Sequence, residues 1–277
     1  AKEREDAAVA LGNVLAVNPK LERPVTALVA ALADTIDAVR VAASSALAQP
    51  GVIAMDALPG LAQMLNDSAH ASVRAQGVRA IGRLLSTSAP AERFTLLAAV
   101  VPAYRDGNAA VRAAVADALG RITSSATTDT IVQQTLETLV RDSVASTRLR
   151  AVEALGSLPA MARREALHTA LNDSSAAIRH AAVLQVRRDT LALAEMQAQI
   201  VKLLVDSSAP VRLAVVRALG SLSMARYPNV STALRARLTD ADSTIRTEAS
   251  HALTRFHAQG GRDPSHEPTL LERCKQL

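Results

Sequence analysis

One short phrase recurs along the whole chain: an Arg followed six residues later by a small residue and seven later by an aliphatic one. It returns around Arg4, Arg40, Arg74, Arg112, Arg148, Arg179, Arg212 and Arg246, at intervals of 36, 34, 38, 36, 31, 33 and 34 residues. A period of that size is the mark of supersecondary units that cannot hide their apolar faces alone and so stack on their neighbours. It excludes a single closed core as the main architecture.

Slot by slot the copies agree. Six residues after the Arg stand Ala10, Ala46, Ala80, Ala118, Ala154, Ala218 and Ala252, with Gln185 the exception. Next comes an aliphatic residue in every copy, then glycine in five of them: Gly12, Gly82, Gly120, Gly156 and Gly220. The chain holds only 11 Gly, so five in one slot reflect a requirement for a tight turn or a close backbone approach. Immediately before the Arg sits Val39, Val73, Val111, Thr147, Ile178, Val211 or Ile245. Together with the positions four and eight residues on, this residue forms one face of a helix.

Six residues before the Arg lies Asp34, Asp106, Asp142, Asp173, Asp206 or Asp240, and Asp67 lies seven before because of one inserted residue. These Asp residues, and the Ser residues after them such as Ser174-Ser175 and Ser207-Ser208, are suited to end one helix and cap the next. Upstream of each Asp runs a second amphipathic segment. Pro24, Pro59 and Pro102 fall in these first helices and Pro210 in the first turn of a second helix, where a missing N–H is tolerated. Each unit therefore reads helix, Asp-led turn, helix.

This pattern resembles the HEAT-repeat family, and is related to the HEAT-like repeats of bilin lyases, over residues 1 to about 257. The resemblance implies an all-α, right-handed α-α superhelix of about seven helical pairs plus an N-terminal half repeat. It also implies second helices on the concave side, and a structural ladder in which turn Asp and helix Arg alternate. The copies around Arg4 and Arg179 depart from it: the first lacks a preceding helix, and the second has Arg187 where glycine is usual. Because the chain opens on a second helix, something outside this sequence is expected to cover that face. Residues 258–268 read as a linker and 269–277 as a short helix that caps the stack or leads onward.

Chemistry is sparse. Aromatics make up 1% of the 277 residues, too few for an aromatic cage or a base-stacking platform. A single cysteine, Cys274, excludes an internal disulfide or a multi-cysteine metal site and reads as a plain thiol. There is no glycine-rich phosphate loop. His70, His168 and His180 are scattered, and His251 and His257 are six apart, on different helix faces, so all read as surface residues. No catalytic, metal or cofactor site is expected. No stretch is apolar enough for a membrane span, and the charged opening Lys2-Glu3-Arg4-Glu5-Asp6 does not read as a signal peptide, so a cytoplasmic location is expected.

What remains is binding. The net charge of +5 is a mild bias. Five residues after the motif Arg the lane reads Val9, Ser45, Arg79, Asp117, Glu153, Leu184, Arg217 and His251, mixed in sign. Nine residues after, it reads Asn13, Gln49, Arg83, Arg121, Ser157, Arg188, Ser221 and Arg255, with four Arg and no acid. That slot falls near the helix end, where the macrodipole favours cations. The expectation is a protein-interaction scaffold that holds a protein partner on the second helices, with Arg79, Arg83, Arg121, Arg188, Arg217 and Arg255 as candidate contacts. A nucleic-acid module using the Arg lane, and an accessory domain of an enzyme, are the alternatives.

Overall fold

The computed structural model describes residues 1–49, 52, 55–122, 129–222 and 228–258. Among these residues there are sixteen α-helices and no strand. In chain order they are α1 (Lys2–Val17), α2 (Glu22–Ala31), α3 (Asp37–Leu47), α4 (Leu58–Leu65), α5 (Ala71–Thr87), α6 (Pro90–Val100), α7 (Ala109–Leu119) and α8 (Asp129–Leu139). They continue with α9 (Ala145–Ala154), α10 (Ala160–Ala170), α11 (Ala176–Arg187), α12 (Thr190–Glu195), α13 (Gln197–Lys202), α14 (Ala209–Leu219), α15 (Pro228–Arg235) and α16 (Ser243–Ala258). This is the half repeat α1 followed by seven helical pairs, the short α12 and α13 together standing as the first helix paired with α14. Except for Ala258, the last residue of α16, the expected linker 258–268 and helix 269–277 lie outside the described residues.

The chain divides into two compact units, Ala1–Thr169 and Ala170–Leu277. In the first, the second helices α1, α3, α5, α7 and α9 lie side by side in order, with α2 against α3, α4 against α5 and α8 against α9. α6 continues into a 3-10 turn, Val101–Arg105, whose Pro102 removes a helical N–H, and this turn packs on α7. In the second unit α11, α14 and α16 are neighbours, with α12 against α11, α13 against α14 and α15 against α16.

The apolar periodicity explains the burial. Val39, Val73, Val111, Thr147, Ile178, Val211 and Ile245 are all buried, as are the residues eight positions later, from Leu47 and Ile81 to Leu219 and Leu253. Thr147, the polar member, donates its hydroxyl to the Ala109 carbonyl at 3.2 Å, so its burial leaves no unpaired O–H.

Glycine at the eighth position serves close approach, not turning. Gly120 and Gly220 are right-handed helical, with φ near −65°. A methyl group on Gly12, Gly82, Gly120 or Gly220 would come within 2.6–2.9 Å of the Cβ of Ala46, Ala118, Ala154 or Ala252 respectively. Each of those alanines is the small residue of the following repeat. The two conspicuous slots are thus the two halves of one contact between successive second helices.

The turns are ordered by a ladder. Each Asp carboxylate accepts the backbone N–H two residues on, as Asp142 does from Val144 and Asp206 from Ser208. The expected Ser caps are not formed: Ser175 and Ser208 stand at N-cap positions without a side-chain cap bond. The Ile178 N–H goes to the Ser175 carbonyl and Pro210 has no N–H to offer Ser208; the turn is ordered by the ionised carboxylate two residues upstream, which accepts the N–H of the Ser itself. The motif Arg donates Nη1 to its own repeat's Asp carbonyl and a Nε/Nη2 fork to the next repeat's Asp carboxylate. Forks join Arg4 to Asp34, Arg74 to Asp106, Arg112 to Asp142, Arg179 to Asp206 and Arg212 to Asp240, at 2.6–3.2 Å.

These bonds depress the carboxylates. Asp34, Asp106, Asp142, Asp206 and Asp240 are held below the usual carboxylate range first by the Arg hydrogen bond, with the turn N–H adding to it and burial opposing. Asp67 is held low first by the His70 backbone N–H.

Candidate protein-interaction face

The residues five positions after the motif Arg lie on the accessible side of the second helices. Val9 is 50% exposed and Leu184 41%, and Ser45, Arg79, Glu153, Arg217 and His251 are exposed beside them. In the first unit this side opens into a groove of about 660 Å³ over α1, α3 and α5, lined by Val9, Asn13, Val41, Ser45, Gln76 and Arg79 among others. In the second unit a smaller groove of about 220 Å³ lies over α11 and α14, lined by His180, Leu184, Arg187, Leu213 and Arg217 and closed by Asp242 and Thr244.

The mixed signs of this lane have a local cause that the sequence reading did not find. A side chain at the fifth position meets the residue two after the next motif Arg. Gln76 donates to the Ser45 hydroxyl at 2.7 Å, Arg150 lies 3.9 Å from Asp117, and Arg217 donates to Glu248 at 2.7 Å and 3.0 Å. Arg150 also holds Glu153 at 3.1 Å. A polar cross-link thus recurs on the exposed face, and the complementary residue types 31 to 33 positions apart are its signal in the sequence. Candidate residue Arg217 is engaged in it, and Arg79 donates to Gln76 at 3.3 Å.

The four-Arg lane separates into parts. Arg188 caps the C-terminal end of α11, and Arg121 lies just beyond α7, both near helix carbonyl ends as anticipated. Arg83 instead lies inside α5, which runs on to Thr87. Within the second unit α14 lies between α11 and α16 and contributes Ser221, so Arg188 and Arg255 are not adjacent. Arg255 reaches across the preceding repeat, its Nη2 being 3.3 Å from where a Gly220 methyl would sit. Arg83, Arg121, Arg188 and Arg255 are all exposed.

One cluster joins the start of α3 to the turn before α5. His70, read as a scattered surface residue, has Nδ1 2.6 Å from Asp37 and 3.6 Å from Asp67. Arg40 contacts the same two carboxylates, at 2.6 Å and 2.8 Å, through a single Nη2 instead of the usual fork. The ligand atoms of Asp37, Asp67 and His70 fall within 4.8 Å of one another, close enough to share a cation. The Arg40 guanidinium already supplies the balancing positive charge, so the cluster reads as a modified rung of the ladder.

Comparison with known proteins agrees with this architecture. Residues 58–156 match the family model for HEAT repeats. No curated protein matches the sequence. Among solved structures the chain is similar to YibA of E. coli, with 18% identity, a TM-score of 0.62, and coverage of 88% of this chain and 85% of that one. It is also similar to an archaeal HEAT-like repeats protein from Thermococcus onnurineus NA1, at 16% identity and a TM-score of 0.55, covering 84% and 97%. A third likeness is to a chain of the structure of Kap95p with RanGDP, at 16% identity and a TM-score of 0.61, covering 91% of this chain and 38% of that one. HEAT repeats are thus present over residues 58–156, and the fold on either side is that of a helical-repeat solenoid. No helix among the described residues is long and apolar enough to cross a membrane.

Proposed function

We propose that this HEAT-repeat chain is a non-catalytic scaffold that holds a protein partner against the exposed side of its second helices. The observation that carries the reading is the make-up of that side. Val9 and Leu184 stand exposed at grooves lined also by polar and charged residues, of which Arg217 is fixed by Glu248 of the next repeat. Scattered apolar anchors within a polar, ordered surround are what a protein interface uses. Kap95p, which shares the fold, binds RanGDP, in line with a protein partner for such a surface.

Site-specific photo-crosslinking tests the reading. A photoreactive residue placed at Ser45, Arg79 or Leu184, on second helices, is expected to capture one and the same protein in lysate of the source cells. Capture should weaken on Arg79→Glu or Leu184→Asp. Contacts confined to Phe94 and Met161, exposed on the first helices α6 and α10, would overturn it. For the alternative of nucleic acid, a gel shift at low salt that fades steeply as salt rises is the outcome that would replace a protein partner.

A further inference from the structure

The two units present second-helix grooves of different lining. We infer that the groove over α11 and α14 takes an acidic protein segment carrying an aliphatic side chain; the inference rests on the proposed scaffold role and specifies the partner's chemistry. Its apolar part is made by Leu184, Pro210 and Leu213. Leu184 is 41% exposed. The volume, about 220 Å³, is below the roughly 300–1,000 Å³ of a small-molecule site. It suits one or two aliphatic side chains.

The surround is basic. Arg187 and Arg217 line the groove with His180; outside its lining, Arg188 stands exposed at the end of α11 and Arg255 on α16. Among the described residues Arg187, Arg188 and Arg255 have no carboxylate partner. The acids nearby, Asp189, Asp242 and Glu248, all have partners, Asp189 accepting the Leu191 and Ala192 N–H groups. Asp242 accepts the Thr244 and Ile245 N–H groups at the start of α16, and Glu248 is held by Arg217. Arg187, which has no carboxylate partner among the described residues, stands with Arg217 beside the apolar lining, and against the single lining acid Asp242 they leave a positive edge that an incoming carboxylate neutralises. Arg187 stands where most other copies have glycine or alanine, so this cation is particular to one repeat.

Nucleic acid fits the same surface less well. The groove has no aromatic lining on which a base could stack, its floor is aliphatic, and Ser221 and Glu248 interrupt the cations.

The test is selection from a random twelve-residue peptide library displayed on phage, against the immobilised full chain. Recovered sequences are expected to be rich in Asp and Glu around a Leu, Ile or Met. Their binding, read by fluorescence anisotropy, should fall about tenfold or more on Arg187→Glu, and likewise on Leu184→Asp. Both positions are exposed, and circular dichroism confirms the fold of each variant. Arg23→Glu, an exposed charge reversal on the first helix α2, should leave the binding unchanged. Basic or neutral sequences, no enrichment, survival of binding in both variants, or displacement of the peptides by a single-stranded oligonucleotide would each overturn the inference. Peptides that crosslink to α3 and α5 would overturn it while leaving the scaffold reading intact. Peptides that crosslink only to first helices would overturn both.

Discussion

Gly82 of α5 and Ala118 of α7 are so close that a methyl on Gly82 would lie 2.6 Å from the Ala118 Cβ and 2.8 Å from its Cα. Neither atom is the end of a flexible side chain, so nothing short of moving a helix relieves the clash. The spacing between successive second helices is therefore set by a pair of residues with one methyl group between them. The same arrangement recurs at Gly12 and Ala46, Gly120 and Ala154, and Gly220 and Ala252.

Gly82→Ala should destabilise the protein by about 1–3 kcal/mol, the usual cost of overpacking. Gly107, where an added Cβ meets nothing within 4 Å, is the control. Gly107→Ala should be neutral or stabilising by about 0.4–1 kcal/mol through the unfolded chain. Urea midpoints of the two variants measure the contrast, and equal midpoints would refute it.

The ladder should respond to geometry as well as charge. Asp142 accepts the Arg112 fork at 2.6 Å and 2.8 Å with side-chain exposures of 14% and 8% for Arg and Asp. Arg112→Ala should cost about 1–3 kcal/mol, the range for hydrogen bonds to a charged group. Arg112→Lys, which keeps the charge but not the fork, should recover only part of the loss. Complete recovery by Lys, read from denaturant midpoints, would show that charge alone matters.

Acid should unfold the protein through these same carboxylates. Their folded-state values lie below the unfolded one, which is about 3.9 for Asp. The stability they contribute is therefore complete above the unfolded value and lost as pH falls through the depressed folded values. Thermal midpoints should be level from neutral pH to about pH 5 and drop below about pH 4. Asp142→Asn should lower the plateau and make the acid drop shallower. An unchanged acid limb in that variant would exclude Asp142 as a contributor.

Arg217 separates stability from binding. Its pair with Glu248 is exposed, at 43% and 26%, and such pairs contribute about 0–1 kcal/mol. Arg217→Glu should thus shift the melting midpoint little while reducing capture of the partner by second-helix crosslinkers. The double exchange Arg217→Glu with Glu248→Arg should restore the pair and not the capture. Restored capture would assign Arg217 a purely structural role.

Much of the fold was legible because helix burial is a local matter. Val111, Val115 and Leu119 share a face by spacing alone, and all three are buried. The ladder was visible only through likeness to known repeats. The alternating Arg and Asp residues carry no sign of which repeat each contacts, since Arg112 bonds to both Asp106 and Asp142. The Ser caps at Ser175 and Ser208 were misread: the Ile178 N–H goes to the Ser175 carbonyl, Pro210 has no N–H to offer Ser208, and each Ser donates its own backbone N–H to Asp173 or Asp206. The candidate Arg residues share only a slot in the repeat, and a slot says nothing about Glu248 standing opposite Arg217.

By itself the sequence determined the period, the helical pairs and their buried faces, because these follow from residues within about two turns of one another along a helix. Only the tertiary structure decided why the glycines recur, which charges are engaged, and where Leu184 and Arg187 form a groove. Those properties depend on the distance between side chains some thirty residues apart, and that distance is fixed only when one repeat packs against the next.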